Sequence, residues 1–211
     1  MTASRTKLEA GRTLRDKAAQ LPNVSAKGER TRTDIVECAR QLFYEHGYDG
    51  TSFSDIVDAS GLVRGNIYHY FKTKDDILKA VIEQHLAGYR ALLAQWEQQD
   101  ADPKARLLAF VEMITSRKTD LVKYGCPIGT LNTELAKDRR DLQQAARALF
   151  DLFRDWLAAR FRELGKDADA DALALHLLGR AQGIAVISHV YQNAKLLQQE
   201  THQLRDWINQ L

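Results

Sequence analysis

The sequence has few of the residues that crosslink or interrupt a fold. Of its 211 residues two are Cys and three are Pro, so a disulfide-stapled secreted scaffold and a Pro-rich low-complexity chain are both excluded. No stretch approaches the roughly 20 consecutive apolar residues of a membrane span, and the N-terminus lacks the apolar segment of a secretory signal. With 45% apolar and 27% charged residues, the composition is typical of a globular protein. We therefore expect a cytoplasmic protein with no membrane partner.

The sequence also lacks the motifs of common enzyme classes. It has no HExxH spacing, no Gly-rich phosphate loop and no Ser nucleophile elbow. Two cysteines in one chain are too few for a closed zinc site. We expect no enzymatic activity, no metal and no cofactor. The histidines are scattered along the chain, at His46, His69, His85, His176, His189 and His202.

The formal net charge of +2 hides an asymmetry between the ends of the chain. Residues 1–32 carry eight basic and three acidic side chains, a net charge of +5. A basic end favours an anionic partner, most commonly nucleic acid. On charge alone, a solvated tail without a partner is an equally good interpretation. We predict a flexible basic arm over residues 1–26.

Apolar residues recur at helical spacing along nearly the whole chain, which predicts an all-α fold. Three short helices are expected within residues 27–73, the second capped by Ser52 or Thr51 and followed by a turn at Gly61. Thr73 is expected to cap a long helix that opens a larger bundle over residues 74–211. The further helices are predicted at 103–118, 119–124, 127–136, 139–164, 169–194 and 198–210.

Residues 51–78 match the helix-turn-helix plan, in which the second helix enters the major groove of DNA. Leu62 and Ile67 would bury the inner side of that second helix. Its outer side is left with polar and aromatic groups. Arg can bind guanine and Asn adenine through paired hydrogen bonds, whereas Tyr hydroxyls reach phosphates. An αα-hairpin with exposed aromatic rings is the competing interpretation.

At these residues the chain resembles the TetR family of bacterial transcriptional regulators. Val63 departs from the family pattern, because a Ser commonly starts the recognition helix there. The matching elements are Gly47-Tyr48, Thr51, Ile56, Ala59-Ser60-Gly61, Gly65, Tyr68-His69-Tyr70-Phe71, Lys74 and Leu78.

The resemblance implies a homodimer that binds a near-palindromic, double-stranded DNA operator. By position, Arg64, Asn66 and His69 would contact bases. Family members usually repress their target genes and leave the DNA when a small molecule enters the C-terminal bundle. The residues expected to hold phosphates are Thr51, Ser52, Tyr68, Tyr70 and Lys74.

The two long C-terminal helices carry more than one apolar stripe each, so both are predicted to be buried on two sides. Gly179 and Gly183, four residues apart, leave a shallow strip that a second helix could approach. We predict a four-helix dimer interface; packing within one chain is the alternative. The interface residues would include Leu149, Phe153, Trp156, Gly179 and Gly183.

The resemblance places an effector pocket between the long helix after residue 73 and the middle helices, and its apolar lining favours an apolar effector. Cys126 precedes a helix that Pro127 starts, where the helix dipole could activate a thiol. The alternatives are therefore a repressor that senses electrophiles or oxidants through Cys126, a structural Cys126, and a DNA-binding protein without an effector. The pocket candidates are Tyr89, Leu93, Trp96, Phe110, Met113, Ile114, Cys126, Leu131, Phe150 and Phe153.

Overall fold

The computed structural model describes residues 26–211. These residues fold as ten α-helices with a short 3-10 turn, Asp167–Asp169, before the ninth, which confirms the expected all-α class. The arm predicted for residues 1–26 lies outside the described residues, apart from Ala26, which opens the first helix. The helices are α1 Ala26–His46, α2 Phe53–Ser60, α3 Arg64–Tyr70, α4 Lys74–Gln99, α5 Pro103–Ser116, α6 Lys118–Tyr124, α7 Pro127–Asp138, α8 Arg140–Glu163, α9 Ala170–Val190 and α10 Ala194–Asn209.

The helix starts follow from local sequence. The Ser52 hydroxyl accepts from the Asp55 amide at 3.1 Å, and the Asp55 carboxylate accepts from the Ser52 amide at 2.7 Å. This reciprocal pair satisfies two amides that the first turn leaves free. Ser52, and not Thr51, is therefore the cap of α2. Thr73 and Asp76 form the same arrangement at the start of α4.

The boundary predicted between the last two helices is wrong, because α9 ends at residue 190 and α10 begins at residue 194, not at 194 and 198. The helix expected over residues 169–194 ends at Val190, and Asn193 caps α10 with hydrogen bonds from the Lys195 and Leu196 amides. Between them Gln192 adopts a left-handed φ of 48°, a conformation that is uncommon outside glycine. The Gln192 amide group donates to the Val122 carbonyl at 2.9 Å. Because this turn is stabilised by a contact with a distant helix, the local sequence does not mark it.

The N-terminal helices pack around Ile35, Ile56 and Ile67, each fully buried. Helix α4 contacts α1 on one side and α8 on the other. It is thus shared by the helix-turn-helix domain and the larger bundle. The division of the chain at residues 73 and 74 remains a prediction, because α4 belongs to the packing of both parts.

The outward faces of α8 and α9 differ from the prediction. Leu149, Phe153 and Trp156 lie inside the single chain, with exposed fractions of 0, 1 and 8%. Their assignment to a dimer interface is therefore wrong, since a second chain cannot reach them without opening the bundle. The apolar side chains that α9 and the residue after it expose are Leu175, Val186, Ile187, Val190 and Tyr191.

The segment Asp167–Val190 is the one helix among the described residues whose length and mean hydropathy of 1.2 would suffice to cross a membrane. A core helix of a soluble protein meets the same two criteria. Here the segment packs along α8, α6 and α10.

Candidate functional site

Helix α3 separates its buried and exposed residues cleanly. Ile67 is fully buried and Phe71, just beyond the helix, is 4% exposed. Arg64, Asn66 and His69 are all exposed on the other side. The three side chains predicted to contact bases therefore lie on the solvent side of one short helix. Their contact with DNA remains a prediction.

Arg64 lies against an aromatic pair. Its guanidinium is 5.7 Å from the ring centroids of both Phe53 and Tyr68. These two rings stack on each other with centroids 4.7 Å apart. A guanidinium over aromatic faces is held by cation–π attraction, so the stack orients Arg64. The sequence reasoning missed Phe53, although its position at the start of α2 places it next to α3 in any helix-turn-helix.

The residues predicted to hold phosphates divide into two groups. Ser52 and Tyr68 are exposed and Tyr70 is partly buried. Thr51 is 1% exposed, and its hydroxyl donates to the Gly47 carbonyl at 2.8 Å. The Thr51 side chain closes the α1–α2 loop from within, and contact of Thr51 with a phosphate remains a prediction.

Lys74 also has an internal role that the sequence did not indicate. Its ammonium donates to the carbonyls of Tyr48 and Thr51, at 2.7 and 2.9 Å, and lies 3.9 Å from the Tyr48 ring centroid. Burial lowers the pKa of this ammonium. Lys74 therefore fixes the start of α4 to the α1–α2 loop, and its contact with a phosphate remains a prediction.

Helix α7 reaches back to the same loop. The Glu134 carboxylate accepts from the backbone amides of Tyr48 and Asp49 at 3.0 and 2.8 Å. Gly47, at a φ of +79°, leaves room for this carboxylate, since a Cβ there would come within 3.0 Å of it. We call the Glu134 contacts to the loop the α7 latch.

Arg139, just beyond α7, adds a second tie. It forms an ion pair with Asp75, which also accepts from the Tyr48 hydroxyl. The hydrogen bond from Arg139 lowers the pKa of Asp75, against the effect of burial. Between α1 and the residue after α6, the Tyr44 hydroxyl donates to the Gly125 carbonyl at 2.9 Å. Local sequence carries no signal for these contacts, because they join residues 27 to 81 positions apart.

An apolar cavity of about 50 Å³ lies inside the bundle. Of the predicted pocket residues, those that line it are Tyr89, Phe110, Met113, Ile114, Cys126 and Phe153. Leu93, Trp96, Leu131 and Phe150 do not line it, and their place in an effector pocket remains a prediction. Trp96 instead packs against Trp156, with ring centroids 5.6 Å apart.

Sequence reasoning missed one wall of the cavity. Helix α9 contributes Leu178, Ala181, Gln182 and Ala185. These residues recur at three- and four-residue intervals, a spacing typical of one helical face. The spacing marks this face in the sequence, but it does not distinguish a cavity wall from a dimer face. The other missed lining residues are Arg117, Leu121, Pro127 and Ile128.

Within residues 26–211, no group of three or more His, Cys, Asp or Glu side chains is arranged to hold a metal ion. The two cysteines, Cys38 and Cys126, are both free and partly buried.

Comparison with known proteins agrees with this arrangement. Residues 35–81 match the family described as bacterial regulatory proteins of the tetR family. Residues 103–203 match a family described as the C-terminal domain of LmrA/YxaF-like transcriptional regulators. The first match covers the helix-turn-helix region and the second covers most of the bundle.

Individual relatives are similar over most of their length. An HTH-type transcriptional regulator of the lacX 3' region in Lactococcus lactis is 30% identical, over 80% of this chain and 88% of the relative. The HTH-type transcriptional repressor NemR of Escherichia coli is 25% identical, over 57% of this chain and 60% of NemR. A TetR transcriptional regulator from Chloroflexus aurantiacus has a solved structure that matches with a TM-score of 0.78 and 27% identity, over 88% of this chain and 98% of that one. The chain belongs to the TetR family of bacterial transcriptional regulators.

Proposed function

We propose that the protein is a cytoplasmic repressor that binds a near-palindromic operator as a homodimer and leaves it when an apolar small molecule enters the bundle. The observation that carries this proposal is the exposed face of α3. Arg64, Asn66 and His69 offer donors and acceptors that match base edges in the major groove. The fixed packing of Ile67 beneath them gives that face a defined orientation.

The dimer interface is proposed on α9. Its exposed apolar residues include Val186 and Ile187, with exposed fractions of 55 and 48%. A contiguous exposed apolar patch on a soluble protein commonly marks an interaction site. A Cβ at Gly179 or Gly183 would meet nothing within 4 Å, so the strip between these apolar residues is open to close approach by a second helix.

The apolar cavity is the proposed effector site. Its volume of about 50 Å³ is roughly a third of that of an engineered cavity that accommodates benzene. An effector of ordinary size must therefore push the walls apart. One wall is Cys126, Pro127 and Ile128 at the start of α7, and the same helix carries the α7 latch.

Two connections would transmit that movement to α3. Helix α4 runs without interruption from Lys74 to Gln99 and contributes Tyr89 to the cavity. The α7 latch holds the α1–α2 loop directly. An effector that binds the expanded state better can weaken operator binding only by its coupling free energy, typically about 1–3 kcal/mol.

The alternative of a regulator triggered by modification of Cys126 is not favoured. The thiol lines the apolar cavity and is partly buried, so a reagent would have to enter the space that a non-covalent ligand occupies. Reactive cysteines are typically accessible and lie in electropositive surroundings. The cavity also supports an effector-binding regulator over a DNA-binding protein without an effector.

The proposal is tested by selecting bound duplexes from a random DNA pool with the full-length protein. We expect a palindrome whose half-sites are separated by about one helical turn or a multiple of it. Light scattering on the free protein and on its complex should give two chains per palindrome. Enrichment of no sequence, or of a single non-repeated half-site by a monomer, would contradict the proposal.

A further inference from the structure

A second cavity lies beside the apolar one and has different chemistry. It has a volume of about 190 Å³. Arg40 and Tyr44 of α1 line one side, and His85 of α4 lines another. Arg117 and Asp120, at and just after the α5–α6 junction, line a third side. The remaining lining residues are Gln41, Tyr124 and Pro127. We call this cavity the polar chamber. It lies between the helix-turn-helix domain and the bundle.

The polar chamber and the apolar cavity are neighbours. Arg117 and Pro127 line both of them. His85 in the chamber and Tyr89 in the cavity lie one turn apart on α4, and their rings stack with centroids 5.8 Å apart. The two spaces therefore share a wall at Arg117 and Pro127.

The positive charge available in the chamber is that of Arg117. Arg40 is already paired with Glu37, through contacts of 2.8 and 2.5 Å. Among residues 26–211, Arg117 forms no ion pair with a carboxylate; it is exposed to solvent and lies near the Tyr89 hydroxyl. Asp120 is the one acidic residue that lines the chamber, and it is exposed to solvent. Arg117 and Asp120 are thus the charged lining residues that lack an ion-pair partner among residues 26–211.

His85 supplies a neutral donor. Burial, with the positive charges of Arg40 and Arg117, lowers the pKa of its imidazole to about 4. At neutral pH the ring is uncharged and carries one N–H. His85 makes no hydrogen bond to any residue between 26 and 211. Its N–H is therefore available to water or to a group bound in the chamber.

We propose that the polar chamber and the apolar cavity together bind a small carboxylate with an apolar tail. The carboxylate pairs with Arg117 and accepts from the imidazole N–H of His85, and the tail enters the apolar cavity past Pro127. This inference rests on the proposed function and specifies the class of effector. Because α1 contributes Arg40 and Tyr44 to the chamber, the ligand also contacts the helix-turn-helix domain directly.

The test uses hexanoate and hexanamide, which have the same tail and differ in head-group charge. Calorimetry on the full-length protein should show that hexanoate binds about tenfold more tightly than hexanamide. A hydrogen bond to a charged group stabilises a complex more than a neutral one, by a free energy that corresponds to about this factor in affinity. Arg117→Gln should remove this preference by weakening hexanoate alone. Lys118→Gln, at the adjacent exposed lysine, is the matched control and should keep it. Equal binding of the two probes to the unchanged protein, or no binding of hexanoate, would overturn the proposal.

Asp120→Asn provides a test that does not depend on a loss of binding. Removing the chamber's one carboxylate should tighten hexanoate severalfold and leave hexanamide unchanged. An unaltered ratio would contradict the proposed location of the head group. Operator titration in the presence of hexanoate separates this inference from the proposed function. If hexanoate binds in a way that depends on Arg117 but does not release the operator, the carboxylate site is supported and its role in release of DNA is refuted.

Discussion

Helices α3 and α9 both expose groups that the rest of the chain does not use, but the chemistry of the two faces is opposite. Helix α3 presents Arg64, Asn66 and His69 above a buried Ile67. Helix α9 presents apolar side chains such as Val186 and Ile187, beside two glycines with open space above them. Hydrogen-bonding groups without internal partners suit base edges, whereas apolar groups suit a second copy of the same surface. The comparison supports the proposal that α3 contacts the operator and that α9 forms the dimer.

The assembly face should give the largest effect. Gly183→Arg places a long charged side chain in the open strip of α9, where it blocks helix approach and cannot be buried without a partner. We expect a monomer in light scattering and an operator affinity reduced by about a hundredfold or more, because a single half-site provides half of the contacts.

Ala94→Arg, on an exposed position of α4, is the control for an added surface arginine and should remain dimeric. A Gly183→Arg protein that stays dimeric and binds the operator normally would show that the dimer forms through another surface.

Substitutions on the exposed face of α3 should give the next largest effect on operator binding. Arg64→Ala should weaken operator binding by about 1–3 kcal/mol and relax the preference at one base pair in each half-site. Competition titrations with single-base operator variants measure both quantities. Phe53→Leu removes the aromatic stack and keeps the Arg64 guanidinium. A smaller loss of operator affinity with an unchanged base preference would show that Phe53 orients Arg64 and that Arg64 itself recognises the base. If Arg64→Ala leaves the base preference intact, Arg64 is not a reading residue.

The contrast between the two helices also explains what the sequence could predict. The start of α2 at Ser52 and the solvent face of α3 follow from capping and helical spacing within a few residues. The outward face of α8 could not be predicted in that way. Helix α8 has two apolar stripes, and Leu149 and Trp156 are both buried within the chain. Which stripe is covered depends on how α4 and α9 pack against α8. Apolar composition measures how much surface is buried, and it does not identify the partner.

The candidate site was predictable to a similar extent. The family resemblance places a pocket between α4 and the middle helices, and it thereby predicts Cys126 and Phe110 as lining residues, which the cavity includes. Arg117 was missed, since its relation to His85 depends on how α1, α4 and α6 meet. The same holds for Glu134, whose contact with the Tyr48 amide spans 86 positions of sequence. Long-range polar contacts of this kind have no periodic signature.

The α7 latch connects the α1–α2 loop to the bundle, and its removal should have an intermediate effect on operator binding. Glu134→Ala deletes the acceptor of two backbone hydrogen bonds, which should lower the free energy of unfolding by about 1–2 kcal/mol. We expect operator binding that persists but responds less to effector, because one of the two connections is lost. Urea unfolding and operator titration with and without hexanoate measure the two effects. Asp138→Ala, at the exposed end of α7, is the control, and an unchanged effector response in Glu134→Ala would leave α4 as the sole connection.

The smallest effect is expected at Gly65, and its two parts should have opposite signs. Gly65 lies within α3, and a Cβ built there would meet nothing within 4 Å. Packing within the chain therefore does not require glycine, and Ala should stabilise the helix by about 0.5 kcal/mol. If the glycine serves a close approach of DNA to α3, Gly65→Ala should raise the melting temperature and yet weaken operator binding severalfold. Ala145→Gly, at an exposed position of α8, should lower stability and leave operator affinity unchanged. A Gly65→Ala protein that is more stable and binds the operator as before would show that DNA does not approach the helix backbone at this residue, and the contact would then be carried by the longer side chains of Arg64 and Asn66.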